Sequence, residues 1–326
     1  MEYRKFGLTG LDVSAIGFGC WEMGGTYGPI DEDQVIRAIH TGLDLGINLF
    51  DTAEVYGFGQ SERLLAKGLA DKRKDIVLVS KFGVGYRASG GRARDGTRAR
   101  MMQSIETTLE ALNTDYLDVY LVHWPDRETP YEETMRALED LVQQGKTRFV
   151  GVSNFKAEEI ADCMAARPVE VGQYGYHLFD RRMELEVFPY CREHDIGIMA
   201  YGPLAHGLLT GTFDTQTRFE ESDWRSRGGL FNMALFTEEN FPRNLLVVEA
   251  LKQVANERGK AIYELALAWV LSNPAVSVAL VGARTPQEVE ANMGALDFAL
   301  SDDDKAAIDA AFAEHHVDTQ PDVWVE

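Results

Sequence analysis

Asn48-Leu49-Phe50-Asp51-Thr52-Ala53-Glu54-Val55-Tyr56-Gly57 is the stretch on which the reading of this chain turns. The apolar run from Ile47 to Phe50 has the length and composition of a buried strand, and it stops at Asp51. Tyr56 follows in a loop flanked by glycine. Two later runs end in the same manner, Val77-Leu78-Val79-Ser80 in Lys81 and Val119-Tyr120-Leu121-Val122 in His123. In a (β/α)₈ barrel the C-terminal strand ends carry the chemistry. An Asp, a Tyr, a Lys and a His at such ends make a proton-transfer set.

The rest of the chain alternates in the same way. Tyr3 to Val13 reads as a hairpin turning near Gly7-Leu8-Thr9-Gly10. Strands are expected at Ala15–Gly19, Asn48–Asp51, Ile76–Lys81, Leu117–His123, Phe149–Ser153, Glu170–Gln173, Ile196–Tyr201 and Val276–Val281. Helical periodicity falls between them: Asp31–Leu45, Ser61–Leu69, Thr97–Leu112, Tyr131–Gln144, Glu158–Met164, Leu185–Glu193, Asn244–Arg258, Ala261–Leu271 and Thr285–Gly294. Ser301–Ala313 adds one amphipathic helix outside the repeat. Short apolar strands alternating with helices call for a parallel sheet covered by helices. An open doubly wound sheet would give the same alternation as a closed barrel.

One connection is long, Pro203 to about Pro242. A loop of that length is a lid or binding loop, or a surface insertion with its own small core. No linker rich in Pro, Gly or Ser divides the chain, so residues 1–326 are expected to form one domain. Gly83-Val84-Gly85-Tyr86-Arg87-Ala88 imitates a dinucleotide-binding fingerprint after a strand. No helix opens there, so the segment is read as a loop beside the site.

At 326 residues and 45% apolar the chain builds a sizeable core. Its formal charge of −20 excludes nonspecific nucleic-acid binding, which needs a basic surface. It would also repel an anionic cofactor, so local arginines would have to do the capturing. No run is long enough to span a membrane and no signal peptide is visible. Cys20, Cys163 and Cys191 are odd in number and widely spaced, which fits reduced thiols and a cytoplasmic location.

Asp51 and Tyr56, Lys81, and His123-Trp124-Pro125 together resemble the catalytic tetrad of the aldo-keto reductases. Leu11 through Gly19, Val150-Gly151-Val152-Ser153-Asn154-Phe155 and Gly282-Ala283-Arg284-Thr285-Pro286 resemble further motifs of that family, in the family's order from about Tyr3 to Phe312. The resemblance implies closure into a (β/α)₈ TIM barrel, capped below by the N-terminal hairpin, with the long loop after strand seven. It implies carbonyl reduction with NADPH, and NADH as the alternative cofactor. Ser153, Asn154 and Gln173 would hold the nicotinamide carboxamide, whose one acceptor and two donors suit amide and hydroxyl partners. Tyr201 would stack on the ring, and Gly202-Pro203-Leu204 with Leu208 through Gly211 would follow the pyrophosphate. Gly282 and Arg284 open the last turn, where Arg284 would take an adenosine 2′-phosphate. Glu288 stands where many relatives have Gln, while Asn292 keeps its expected place. Glu288 also completes a capping box, Thr285-Pro286-Gln287-Glu288.

The chemistry of the four residues stands beside the resemblance. A carbonyl needs hydride, which only a cofactor supplies, and a proton. A phenol holds its proton too tightly near pH 7, and a nearby ammonium loosens it. Tyr56 is therefore the expected general acid, Lys81 its tuning cation, Asp51 the partner of Lys81, and His123 a hydrogen-bonding group for the substrate oxygen. Trp21, Tyr56 and Trp124 are expected to line the substrate pocket, with Tyr86 and Trp224 from loops. Arg218, Arg225 and Arg227 suit a phosphorylated substrate, a cofactor clamp or a solvated loop alike. A metal-dependent hydrolase is disfavoured: the seven histidines include no HxH and no HExxH, and only His123 ends a strand. The rival reading is a cofactor-binding partner protein with little turnover, like the β subunits of potassium channels. Oligomeric state and substrate identity are not legible.

Overall fold

The computed structural model describes the chain except Thr26, residues 87–91, Ser222 and residues 322, 323, 325 and 326, and gives only the backbone of Tyr86 and Arg92. Strands β1 (Tyr3–Lys5) and β2 (Asp12–Ser14) pair antiparallel as the expected hairpin. Eight parallel strands then close into a barrel. In chain order they are β3 (Ile16–Gly19), β4 (Leu49–Asp51), β5 (Val77–Phe82), β8 (Leu117–Val122), β9 (Thr147–Ser153), β10 (Val171–Gly175), β11 (Gly197–Tyr201) and β12 (Val276–Gly282). The remaining pair, β6 (Val84–Tyr86) and β7 (Arg92–Arg94), is antiparallel.

Helices α1 (Glu32–Asp44), α2 (Gln60–Leu69), α3 (Arg98–Leu112), α4 (Tyr131–Gln143), α5 (Ala157–Ala166) and α6 (Val187–Glu193) follow successive barrel strands. After the long loop come α7 (Asn240–Glu257) and α8 (Ile262–Ser272), then α9 (Pro286–Met293) and α10 (Asp302–Glu314). Local chemistry sets their ends. Asp31, Thr97, Thr285 and Ser301 each accept a first-turn backbone N–H at an N-terminus. Gly46, in the left-handed region at φ 88°, ends the first helical segment as expected. The helix expected from Asn244 begins four residues earlier, at Asn240, with Pro242 inside its first turn, where no N–H is needed.

The period of two explains how the site is built. Leu49, Val77, Val79, Val119, Leu121, Val171, Met199, Val278 and Leu280 fill the barrel interior, with Phe6 and Val13 of the hairpin packed against them. The alternate residues face the helices in a second, larger core. Continuing each inward row to the strand's C-terminal end brings one residue per strand to the top layer: Gly19, Asp51, Lys81, His123, Ser153, Gln173, Tyr201 and Gly282. His123 lies one residue beyond β8, yet its N–H still bonds Phe82 O at 2.9 Å and keeps the ladder's phase.

Two expectations are refined. The glycine-rich segment after β5 is not a plain loop: Val84 pairs with Arg94 and Gly85 with Ala93, and the next helix starts only at Arg98. The long loop is both lid and small core. Phe213, Phe219, Phe236 and Phe241 pack ring to ring at 5.3–6.4 Å. Phe231, from the same loop, lies over the barrel mouth.

Candidate active site

The four residues expected to carry proton transfer converge. Lys81 is wholly buried, and its Nζ donates to Asp51 Oδ2 at 2.7 Å, Thr52 O at 2.8 Å and Tyr56 Oη at 3.2 Å. Three oxygens around one nitrogen match the three donors of an ammonium. Burial pushes the Asp51 carboxyl up and the Lys81 ammonium down, and their mutual attraction opposes both displacements. Gln173 Nε2 donates to Asp51 Oδ1 at 2.7 Å as well, so both carboxyl oxygens are bonded. The His123 ring meets the Tyr56 ring edge-on at 5.7 Å.

Tyr56 owes its position to the turn that starts at Trp21. Gly24 lies so close to the Tyr56–Gly57 backbone that a Cβ on it would stand 2.8 Å from Gly57 N. Trp21 then faces the Tyr56 ring at 6.4 Å.

A cavity of about 560 Å³ opens on these residues and runs outward along the barrel top. Asp51, Tyr56, His123, Trp21 and Trp124 line it. Ser153, Gln173 and Tyr201 of the barrel's top layer, with Asn154, form its floor, and Gly202, Pro203, Leu204, Gly282, Arg284, Glu288 and Asn292 also line it. The floor is a connected set. Ser153 Oγ donates to Gln173 O at 2.9 Å, Asn154 Nδ2 donates to Ser153 Oγ at 3.0 Å, and Tyr201 Oη donates to Asn154 Oδ1 at 3.0 Å. Gln173 Oε1 accepts no bond among the described residues.

Besides the buried Lys81, four expected residues stand apart from the cavity lining. Leu208 is buried beneath the turn after β11. Gly211 packs toward Ile262 and Lys252. Arg218 is exposed and bonds its neighbours' carbonyls, Thr215 O and Thr217 O. Trp224 stacks behind Trp21 at 6.3 Å, one row removed. The side chain of Tyr86 lies outside the described residues. Of the other loop arginines, Arg227 is exposed, while Arg225 is gripped by both oxygens of Asp223 and sits against the rings of Tyr27, Phe213 and Phe219. The capping box at α9 forms only in half: Thr285 Oγ1 accepts from Glu288 N, but Glu288 Oε2 reaches past Thr285 to Arg284 N at 2.6 Å. The Arg284 guanidinium is exposed and makes no ion pair among the described residues.

Several lining residues were not legible in advance. Cys20, Glu22 and Tyr27 come from the turn after β3, and His206 and Phe231 from the long loop. Phe231 stacks on Trp124 at 5.5 Å and meets Tyr201 edge-on at 5.9 Å, so the long loop touches two of the lining residues. No group of three or more His, Cys, Asp or Glu suited to a metal occurs among the described residues.

A model of the aldo/keto reductase family matches residues 15–313. The chain is 38% identical to aldo-keto reductase YhdN of Bacillus subtilis, over 94% of this chain and 92% of that protein. It is 32% identical to the NADH-specific methylglyoxal reductase of Escherichia coli, covering 93% and 96%. Among solved structures, a glycerol dehydrogenase of Gluconobacter oxydans superposes with a TM-score of 0.88 at 34% identity over 99% of both chains. A strand-end tetrad on a closed eight-stranded barrel and matches along nearly the whole sequence lead to one conclusion: this chain belongs to the aldo/keto reductase family.

Proposed function

We propose that this chain is an NADPH-dependent reductase of small aldehydes and ketones, with Tyr56 as the general acid. The observation that carries the reading is the Lys81 contact set, with the ammonium 3.2 Å from the Tyr56 oxygen and 2.7 Å from Asp51. An ammonium so placed stabilises the phenolate left when Tyr56 protonates the developing alkoxide. Asp51, held by Lys81 and Gln173, keeps that ammonium charged and aimed. His123, in contact with the Tyr56 ring, is the group that positions the substrate oxygen.

The residues present fit a nicotinamide dinucleotide. When bound it supplies the hydride. Ser153, Asn154 and Gln173 offer the amide and hydroxyl groups a carboxamide needs, with Gln173 Oε1 open to a donor. Gly202, at φ 64°, leaves the wall beside them without a side chain. Arg284, exposed on the cavity lining without an ion-pair partner, suits a 2′-phosphate. Trp21, Trp124 and Phe231 make the substrate end aromatic, which favours compact carbonyl compounds with some apolar surface. The same reading makes the chain one working domain and places it in the cytoplasm, supported by three buried cysteines without disulfides.

The test is a fluorescence titration of the tryptophans with NADPH and NADH, in wild type and Arg284→Ala, alongside oxidation of NADPH by an aromatic aldehyde. Wild type should turn over the aldehyde, and Arg284→Ala should weaken NADPH by about ten- to a hundredfold, the worth of one charge-assisted bond. NADH should change by less than about twofold. Equal weakening of both cofactors would remove Arg284 from 2′-phosphate recognition. Tight binding without turnover would transfer the chain to the partner-protein reading.

A further inference from the structure

One group in the cavity is the wrong sign for a dinucleotide. Glu22, in the turn after β3, lays its carboxyl against Gly282: a Cβ on that glycine would stand 2.1 Å from the Glu22 carboxyl. It therefore lines the cavity beside the β12 end, within electrostatic reach of Arg284, and Gly202–Leu204 line the same cavity. On the reading of the site given above, that is the part of it a pyrophosphate must cross.

We propose that Glu22 is protonated when the dinucleotide is bound, so that cofactor binding takes up as much as one proton from solvent where free Glu22 is ionised. The surroundings leave the ionised form poorly compensated. Arg284 and Glu288 face Glu22 from the β12–α9 segment with opposite charges. Arg225, from the long loop, is already neutralised by both oxygens of Asp223. His206, on the same loop, is driven down to about 3 by burial and is neutral. On Glu22's own turn, Cys20 and Tyr27 are held in their protonated forms, mainly by burial. Behind Cys20 the Asp51–Lys81 pair cancels itself, and Glu62 of α2 points away to Ser80. Burial accordingly raises the Glu22 carboxyl to about 7, against the pull of its own backbone N–H and of Arg284. A pyrophosphate alongside adds negative charge and raises it further. Protonation also turns an acceptor-only group into a donor toward a phosphate oxygen.

The sign follows from linkage. A carboxyl that binds its proton more tightly in the complex than in the free protein leaves affinity flat below the free-state value. It then costs up to tenfold in Kd per pH unit above it, until the bound-state value is reached. NADH is the clean probe, because a 2′-phosphate itself titrates near pH 6, as phosphate monoesters do. Between pH 6 and pH 9 the wild-type Kd for NADH, read from tryptophan quenching, should rise by about thirty- to a hundredfold. Glu22→Gln should stay within about threefold over the same range and bind more tightly than wild type at pH 9.

Equal pH slopes in wild type and Glu22→Gln would overturn the inference and leave the reductase reading intact. So would weaker binding by Glu22→Gln at every pH, since Glu22 would then act as an ionised ligand. Failure of the wild type to bind NADH or NADPH even at pH 6 would overturn the reductase reading, and this inference with it.

Discussion

Tyr56→Phe is expected to lower carbonyl reduction by about a hundred- to ten-thousandfold, the range of a positioned general acid, with NADPH affinity changed by less than about threefold. The variant removes one oxygen. Lys81 keeps two of its three acceptors, Asp51 and Thr52 O, so the buried ammonium stays satisfied. The ring keeps its contacts with Trp21 and His123, so the pocket wall survives. A single-turnover measurement separates the chemical step from product release. Turnover within about tenfold of wild type would take the proton-donor role away from Tyr56.

Lys81→Met should be the most damaging single change to the fold among the site residues. It strands Asp51, only 4% exposed, with Gln173 Nε2 as the one remaining side-chain donor among the described residues. Breaking a buried ion pair from one side costs about 3–5 kcal/mol, and a chain of this size should lose roughly 4–7 °C in Tm. Adding Asp51→Asn removes the stranded charge, so the double variant should recover most of that stability while remaining inactive. The pH dependence has a definite sign. Without Lys81 the main opposition to the burial that raises Asp51's affinity for a proton is gone and the Gln173 bond is left to oppose it, so the folded variant binds a proton that the unfolded chain releases. Its stability deficit should therefore shrink as pH falls and grow as pH rises, until Asp51 is fully ionised. Single and double variants of equal stability at pH 8 would mean that the pair is not an ion pair.

The inward row explains how much could be read beforehand. Leu49 and Asp51, or Val77, Val79 and Lys81, differ by two residues each, so a polar residue ending an apolar run must point the way the run points. That made Asp51, Lys81, His123, Ser153, Gln173 and Tyr201 legible one strand at a time. Closure of the barrel was not legible from alternation, since an open sheet has the same period, and it rested on resemblance. Loop geometry was the other gap. Nothing in Pro203 to Pro242 announces that Phe231 reaches Trp124 or that Asp223 captures Arg225. Those contacts depend on how the loop folds back over the barrel, and no short-range pattern records that. Glu22 escaped for a related reason: a lone acid after Trp21 reads as solvated, and only the missing side chain of Gly282 makes room for it in the cavity.

Reduction of an aromatic aldehyde by wild-type protein with NADPH deuterated at the transferable C4 position addresses the proposed reaction most directly, with mass spectrometry of the alcohol. Direct hydride delivery beside Tyr56 places one deuterium on the carbinol carbon, and Tyr56→Phe makes almost no labelled alcohol in the same time. An alcohol without label, or no alcohol from protein that demonstrably binds NADPH, would contradict the reductase reading.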